Sequence, residues 1–302
     1  MNSQTGTANL NGTTFVYDIA GEGTPLVGAA AAITPATHRA PVMLIHAGIA
    51  DSRMWNFTTR SAQFPTLAEV FTVASYDLRG FGRTPPLAEP LPGAEPRGAA
   101  PPTTFAHHED LAALLRHLGL GRVALVGCSQ GSRVALDFAL AYPERVDRLV
   151  LASPTISGWR YDGPPPPQAA ELDAADAAGD LDRVNELEMQ IWVDGPHRRP
   201  DEVDPGVRAL AWSMNAIALA NEGAALEERP LTPPAIDRLA EVAVPVLIIA
   251  GQLDQARTRA AAGHLAVKLP NARLEMIPGA AHLPNMEQPG EFNRLLLEFL
   301  NQ

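Results

Sequence analysis

The strongest constraint on this 302-residue chain is a single junction. The apolar run Val123-Ala124-Leu125-Val126 leads without a gap into Gly127-Cys128-Ser129-Gln130-Gly131, and then into a stretch carrying Val134, Phe138 and Leu140 at helical spacing. A strand that turns so sharply into a helix forces the residue at the bend into a strained backbone conformation. Glycine at 127 and 131 meets that demand, because a larger side chain at either position would collide with neighbouring chain. The serine at the bend is then presented at the edge of a sheet, where a nucleophile is useful.

The rest of the chain fits such a sheet. Short β-branched runs predict strands at 13–18, 42–46, 70–76, 123–126, 146–151, 246–250 and 274–277. Helical patterns lie between them, at 105–118, 129–141, 257–268 and 289–300. Runs such as Val246-Leu247-Ile248-Ile249 are apolar on both alternating faces, as in strands covered by helices on each side. The expected class is α/β, a mostly parallel central sheet flanked by helices.

Two stretches break the rhythm. Residues 84–102 are proline-rich and aperiodic, which predicts an irregular surface loop. Residues 154–240 open on Gly163-Pro164-Pro165-Pro166-Pro167 and then turn helical, with Asp180 placed to cap one helix and Asp204-Pro205 to start another. This predicts a helical cap inserted into a core made of residues 1–153 and 241–302. The cap segment holds 16 Asp or Glu against seven Arg and no Lys, a net of −9 out of −11 for the whole chain.

A serine hydroxyl needs a base within hydrogen-bond reach and a carboxylate to orient that base. Both follow in chain order. Asp254 comes just after the strand pattern at 246–250, and His282 lies in a loop just after the pattern ending at Ile277. Loops at the same ends of parallel strands share one edge of the sheet, so Ser129, Asp254 and His282 are expected to converge. The other histidines suit surface or capping roles: His38 and His197 fall in loops, and His107, His108, His117 and His264 in helical stretches. Two backbone donors are needed for a tetrahedral oxyanion. The N–H of Gln130 is one candidate, and that of Gly48, in His46-Ala47-Gly48-Ile49, is the other. Asp77-Leu78-Arg79-Gly80-Phe81-Gly82-Arg83 lacks a phosphate-binding lysine and predicts a structural turn with a buried Asp or Arg contact.

Taken together, His46-Ala47-Gly48, Asp77-Leu78-Arg79-Gly80-x-Gly, Gly127-x-Ser129-x-Gly131, Gly251-x-x-Asp254 and Gly279-x-x-His282 resemble the α/β-hydrolase superfamily. The resemblance runs from about Thr13 to the C-terminus, with residues 154–240 where that family carries its cap. It implies a serine hydrolase needing neither cofactor nor metal. Serine in place of aspartate as nucleophile disfavours the aspartate type of dehalogenase and epoxide-hydrolase chemistry.

Composition narrows the partners. Lys268 is the single lysine, so there is no basic face for nucleic acid or an anionic membrane. Cys128 is the single cysteine, read as a small buried thiol, and with no secretory pattern or membrane-length apolar run it suits a reducing cytoplasm. A small-molecule substrate is expected, and the acidic cap favours a neutral ester or lactone over a dianion unless Arg160, Arg183 or Arg208 points inward. Ile49, Trp159, Trp192 and Trp212 are candidates to wall the pocket. A carbon–carbon hydrolase or cofactor-free perhydrolase with the same triad, and a receptor with a slow triad, stay open as alternatives.

Overall fold

The computed structural model describes residues 3–21, 39–57, 62–87, 104–222 and 226–302. His38 and most of the predicted 84–102 loop lie outside them.

Among the described residues ten strands form: β1 (Gln4–Leu10), β2 (Thr13–Ala20), β3 (Val42–Ile45), β4 (Val73–Tyr76), β5 (Thr104–Phe105), β6 (Val123–Cys128), β7 (Val146–Ala152), β8 (Glu227–Glu228), β9 (Val246–Gly251) and β10 (Ala272–Ile277). Eight of them build one sheet in the order β1-β2-β4-β3-β6-β7-β9-β10. The β1-β2 and β2-β4 pairs are antiparallel and the others parallel. This is the α/β class expected from the sequence.

Alternation along the central strands sorts their side chains into two layers. Met43, Ile45, Leu125, Leu149 and Ile248 enter one buried cluster, against helices α2 (His107–His117), α3 (Gln130–Ala141) and α7 (Ala256–Lys268). Val42, Leu44, Val126, Val150 and Leu247 enter the other, against α1 (Gln63–Ala68) and α9 (Pro289–Leu300). Each fully buried side chain of this size stabilises the fold by about 1.5–3 kcal/mol, so slipping one strand by a residue is prohibitive.

Three expectations need correction. β1 is absent from the predicted strands because its pattern is polar and only Gly6 and Ala8 are buried. It is held by a hairpin whose corner, Asn11-Gly12, has φ of 48° and 78°, the geometry for which that dipeptide is a known signal. β4 begins at Val73 and not at 70, since the N–H groups of Val70 and Phe71 both donate to Leu67 O and close α1. Residues 154–240 are not wholly free of strand: β8 pairs with β5, and the Glu228 carboxylate accepts from Nη1 and Nη2 of Arg133 at 2.8 and 2.9 Å.

That stretch otherwise holds α4 (Ala169–Ala178), α5 (Leu181–Glu188), a π-helical turn at Met189–Asp194 and α6 (Pro205–Asn221). Asp180 accepts from Arg183 N, and Asp204 from Gly206 N and Val207 N, so both helices start on the predicted caps. Among the described residues no helix is long and apolar enough to cross a membrane.

One tie between this stretch and α3 is pH-sensitive. Ser157 Oγ lies 2.7 and 2.6 Å from the two oxygens of Asp137. Burial raises that carboxyl to about 6, outweighing the Ser157 hydrogen bond and Arg133. A folded-state value above the ordinary one means stability present in full below about pH 4 and lost as pH rises through 6. Asp137→Asn should therefore raise the Tm at pH 8, by the equivalent of about 3 kcal/mol at most, and change it little at pH 4. Equal effects at both pH values would refute a buried charge there.

Candidate active site

The site is built at the carboxyl ends of β3, β6, β9 and β10. Ser129 stands between β6 and α3 with φ 52° and ψ −113°, a conformation L-residues adopt only when forced. The force comes from close approach. A Cβ on Gly131 would lie 2.2 Å from Ile45 O, and one on Gly127 would lie 2.2 Å from Gly131 O, so α3 starts flush against the end of β3. Ser129 N–H donates to Ala152 O at 2.8 Å, which ties the bend to β7.

β9 and β10 pair in parallel with Gly251 opposite Ile277. Asp254 and His282 follow those two ends and meet, with His282 Nδ1 2.9 Å from Asp254 Oδ2 and 3.1 Å from Oδ1. His282 Nε2 is 2.9 Å from Ser129 Oγ. A carboxylate only accepts, so Nδ1 carries the proton and the Nε2 lone pair faces the serine hydroxyl. Both partners are buried, Asp254 at 0% and His282 at 2% exposure, and Asp254 Oδ1 also accepts from Gln255 N at 2.7 Å. The three residues picked out in the sequence are thus joined in one hydrogen-bonded chain.

The two proposed oxyanion donors are also neighbours. Gln130 is the first residue of α3, where a helix leaves its N–H groups without intrahelical acceptors. Its side-chain Oε1 lies 2.6 Å from where a Cβ on Gly48 would stand, so the Gln130 side chain packs directly over the turn after β3. His46 braces this turn: its Nδ1–H donates to Ala47 O at 2.7 Å and its Nε2 accepts from Leu78 N at 2.8 Å. Burial lowers the His46 pKa against the pull of Asp77, which keeps the ring neutral for that double role. Asp77 and Arg79 are buried and paired, Asp77 with Arg83 and Ser52 N, Arg79 with Asp110.

Of the pocket candidates, Ile49 is buried in the turn after β3 and Trp192 sits with its ring 4.6 Å from that of His282. Trp212 packs partly buried in the cluster under α9, and its carbonyl accepts from Asn185. Trp159 packs instead on Tyr161 and His264, in the cluster of the opposite layer. Cys128 is fully buried, its Sγ 3.7 Å from His282 O, and burial pushes its thiol well up, so it is inert.

His107 departs from the surface role expected of it. It is 3% exposed, its Nε2 is 3.1 Å from Gln130 Nε2, and burial pushes its pKa down to about 3. It fixes the side chain that follows Ser129. Its position at the start of a helix whose next turns are apolar was a signal for burial. Gln255, beside Asp254, sends its side-chain Nε2 to Ile191 O at 2.7 Å and ties the π-helical turn to the site. Nothing local marks that contact. Among the described residues no group of three or more His, Cys, Asp or Glu is placed to hold a metal ion.

Comparison with known proteins follows the same lines. A family model for the alpha/beta hydrolase fold matches residues 40–289. A 2-hydroxy-6-oxononadienedioate/2-hydroxy-6-oxononatrienedioate hydrolase of Burkholderia vietnamiensis (strain G4 / LMG 22486) is 29% identical over 64% of this chain and 67% of its own. The corresponding hydrolase 2 of Pseudomonas putida is 26% identical over 86% of this chain and 87% of its own. Among solved structures, a thermophilic esterase from Thermogutta terrifontis with malate bound has a TM-score of 0.67 at 26% identity, covering 99% of this chain and 98% of the esterase.

Proposed function

Since the chain belongs to the alpha/beta hydrolase fold family and is a hydrolase, we propose that it cleaves carboxylic esters or lactones through an acyl-enzyme on Ser129. The observation that carries this is the unbroken chain from Asp254 through His282 to Ser129, with contacts of 2.9 Å at each link. His282 takes the hydroxyl proton as Ser129 Oγ attacks the carbonyl, and Asp254 holds the imidazole and stabilises its cation. The N–H groups of Gly48 and Gln130 receive the oxyanion. His282 then protonates the departing alcohol and activates water for deacylation. Residues 154–240 act as a cap, placing Trp192 over the imidazole.

Charge favours a neutral substrate. The cap arginines are engaged by carboxylates: Arg183 by Glu171, Arg208 by Asp194 and Glu186, Arg199 by Asp201, and Arg198 by Glu287, while Arg160 lies exposed. A neutral p-nitrophenyl ester should show kcat/KM about tenfold or more above its carboxylate-bearing analogue. The reverse order would overturn this preference. It would also favour a second reading, carbon–carbon bond hydrolysis of an anionic substrate by the same triad, which the two dienedioate hydrolases support. Turnover of p-nitrophenyl acyl esters of increasing length, with Ser129→Ala as control, tests the main reading. Inactivity on every ester and lactone would sink it, and acylation without turnover would indicate a receptor.

A further inference from the structure

His282 sits on a loop, so something other than regular secondary structure must hold its backbone. Glu287, the last residue of the short helix α8 (Pro284–Glu287), does so. Its Oε1 accepts the N–H of Ala281 at 3.0 Å and of Leu283 at 3.2 Å, the two residues flanking the histidine. Its Oε2 accepts from Arg198 Nη2 at 2.6 Å. The same guanidinium donates to Val193 O at 2.7 Å, Asp194 O at 2.9 Å and Gly279 O at 3.3 Å. Val193 and Asp194 end the π-helical turn whose Trp192 lies against the His282 ring.

We propose that Glu287 and Arg198 form a positioning pair that locks the His282 loop to the cap turn at 189–194, so that the base is aligned only while that turn is docked. The proposal rests on the hydrolase reading of the triad. Exposed ion pairs contribute almost nothing, but Arg198 and Glu287 are only 12% and 4% exposed, and every bond they make ends on the base loop or the cap turn. Gln255 adds a second tie, from beside Asp254 to Ile191 O in the same turn. A misplacement of about 1 Å in a base lowers turnover by about 10²-fold.

Two substitutions separate the parts. Glu287→Gln keeps a carbonyl oxygen for both N–H groups but loses the charge that Arg198 meets, and Arg198→Ala removes the links to the cap turn together with the contact to Gly279 O. Each should lower kcat on a p-nitrophenyl ester by about 10²-fold while KM stays nearly unchanged, with partial recovery in Arg198→Lys. The double variant should be no worse than either single one, because both break one linkage. The downfield proton resonance of His282 Nδ1–H against Asp254 should broaden in both variants, and this needs no substrate. If wild type turns over no ester or lactone, the ester and lactone reading fails while the resonance still tests the lock. A lower Tm with kcat and resonance unchanged, or fully additive effects in the double variant, would overturn the lock.

Discussion

Ser129→Ala is expected to lower kcat by about 10⁴- to 10⁶-fold while leaving substrate affinity nearly intact. The change deletes one atom, the Oγ that lies 2.9 Å from His282 Nε2, and leaves the backbone around it in place. Asp254→Asn should cost about 10⁴-fold by a different route. The amide would present an N–H to Nδ1 or leave its lone pair unmet, so the imidazole would turn the wrong nitrogen toward the serine. Activity measurements with mass-spectrometric detection of an acyl adduct check both. Ser129→Ala retaining activity within tenfold of wild type would exclude serine as nucleophile, and an adduct on any other residue would name its replacement.

Gly131→Ala should be among the most damaging single methyl additions at the site. Its Cβ would stand 2.2 Å from Ile45 O and 2.5 Å from His46 O, and these are backbone atoms with no rotamer by which to yield. Either α3 lifts from β3 or the chain does not fold. The expected loss is about 3 kcal/mol or more, together with loss of activity, because lifting α3 separates Ser129 and Gln130 from the turn that holds Gly48. Gly263→Ala is the contrasting control. That position lies inside α7 with nothing within 4 Å of the new atom, and alanine there should stabilise by about 0.5–1 kcal/mol. Denaturant unfolding of the two variants reads both signs, and a Gly131→Ala protein as stable as wild type would contradict the packing at the bend.

Much of this was readable along the chain. Ser129, Asp254 and His282 could be chosen because each follows an apolar run that had to be a buried strand, and parallel strands bring such ends to one edge. The positions of α7 and α9 followed from their apolar spacing. The hairpin of β1 was missed: Asn11-Gly12 signals its corner, but its polar strand carries no core signal. β8 was not legible either, because two glutamates pair as a strand only through Arg133 and the edge of β5.

What the sequence determined by itself was therefore the layer order, the bend at Ser129 and the chain order of Ser129, Asp254 and His282, since these depend on periodicity and on local backbone chemistry. Tertiary structure alone decided which distant polar groups meet. His46 takes its proton partner from Leu78, His107 turns the side chain of Gln130, and Arg198 reaches Glu287 from 89 residues away. Such contacts leave no local pattern, because a buried donor is satisfied by whatever acceptor the fold delivers, and that acceptor is set by packing and not by neighbours in the chain.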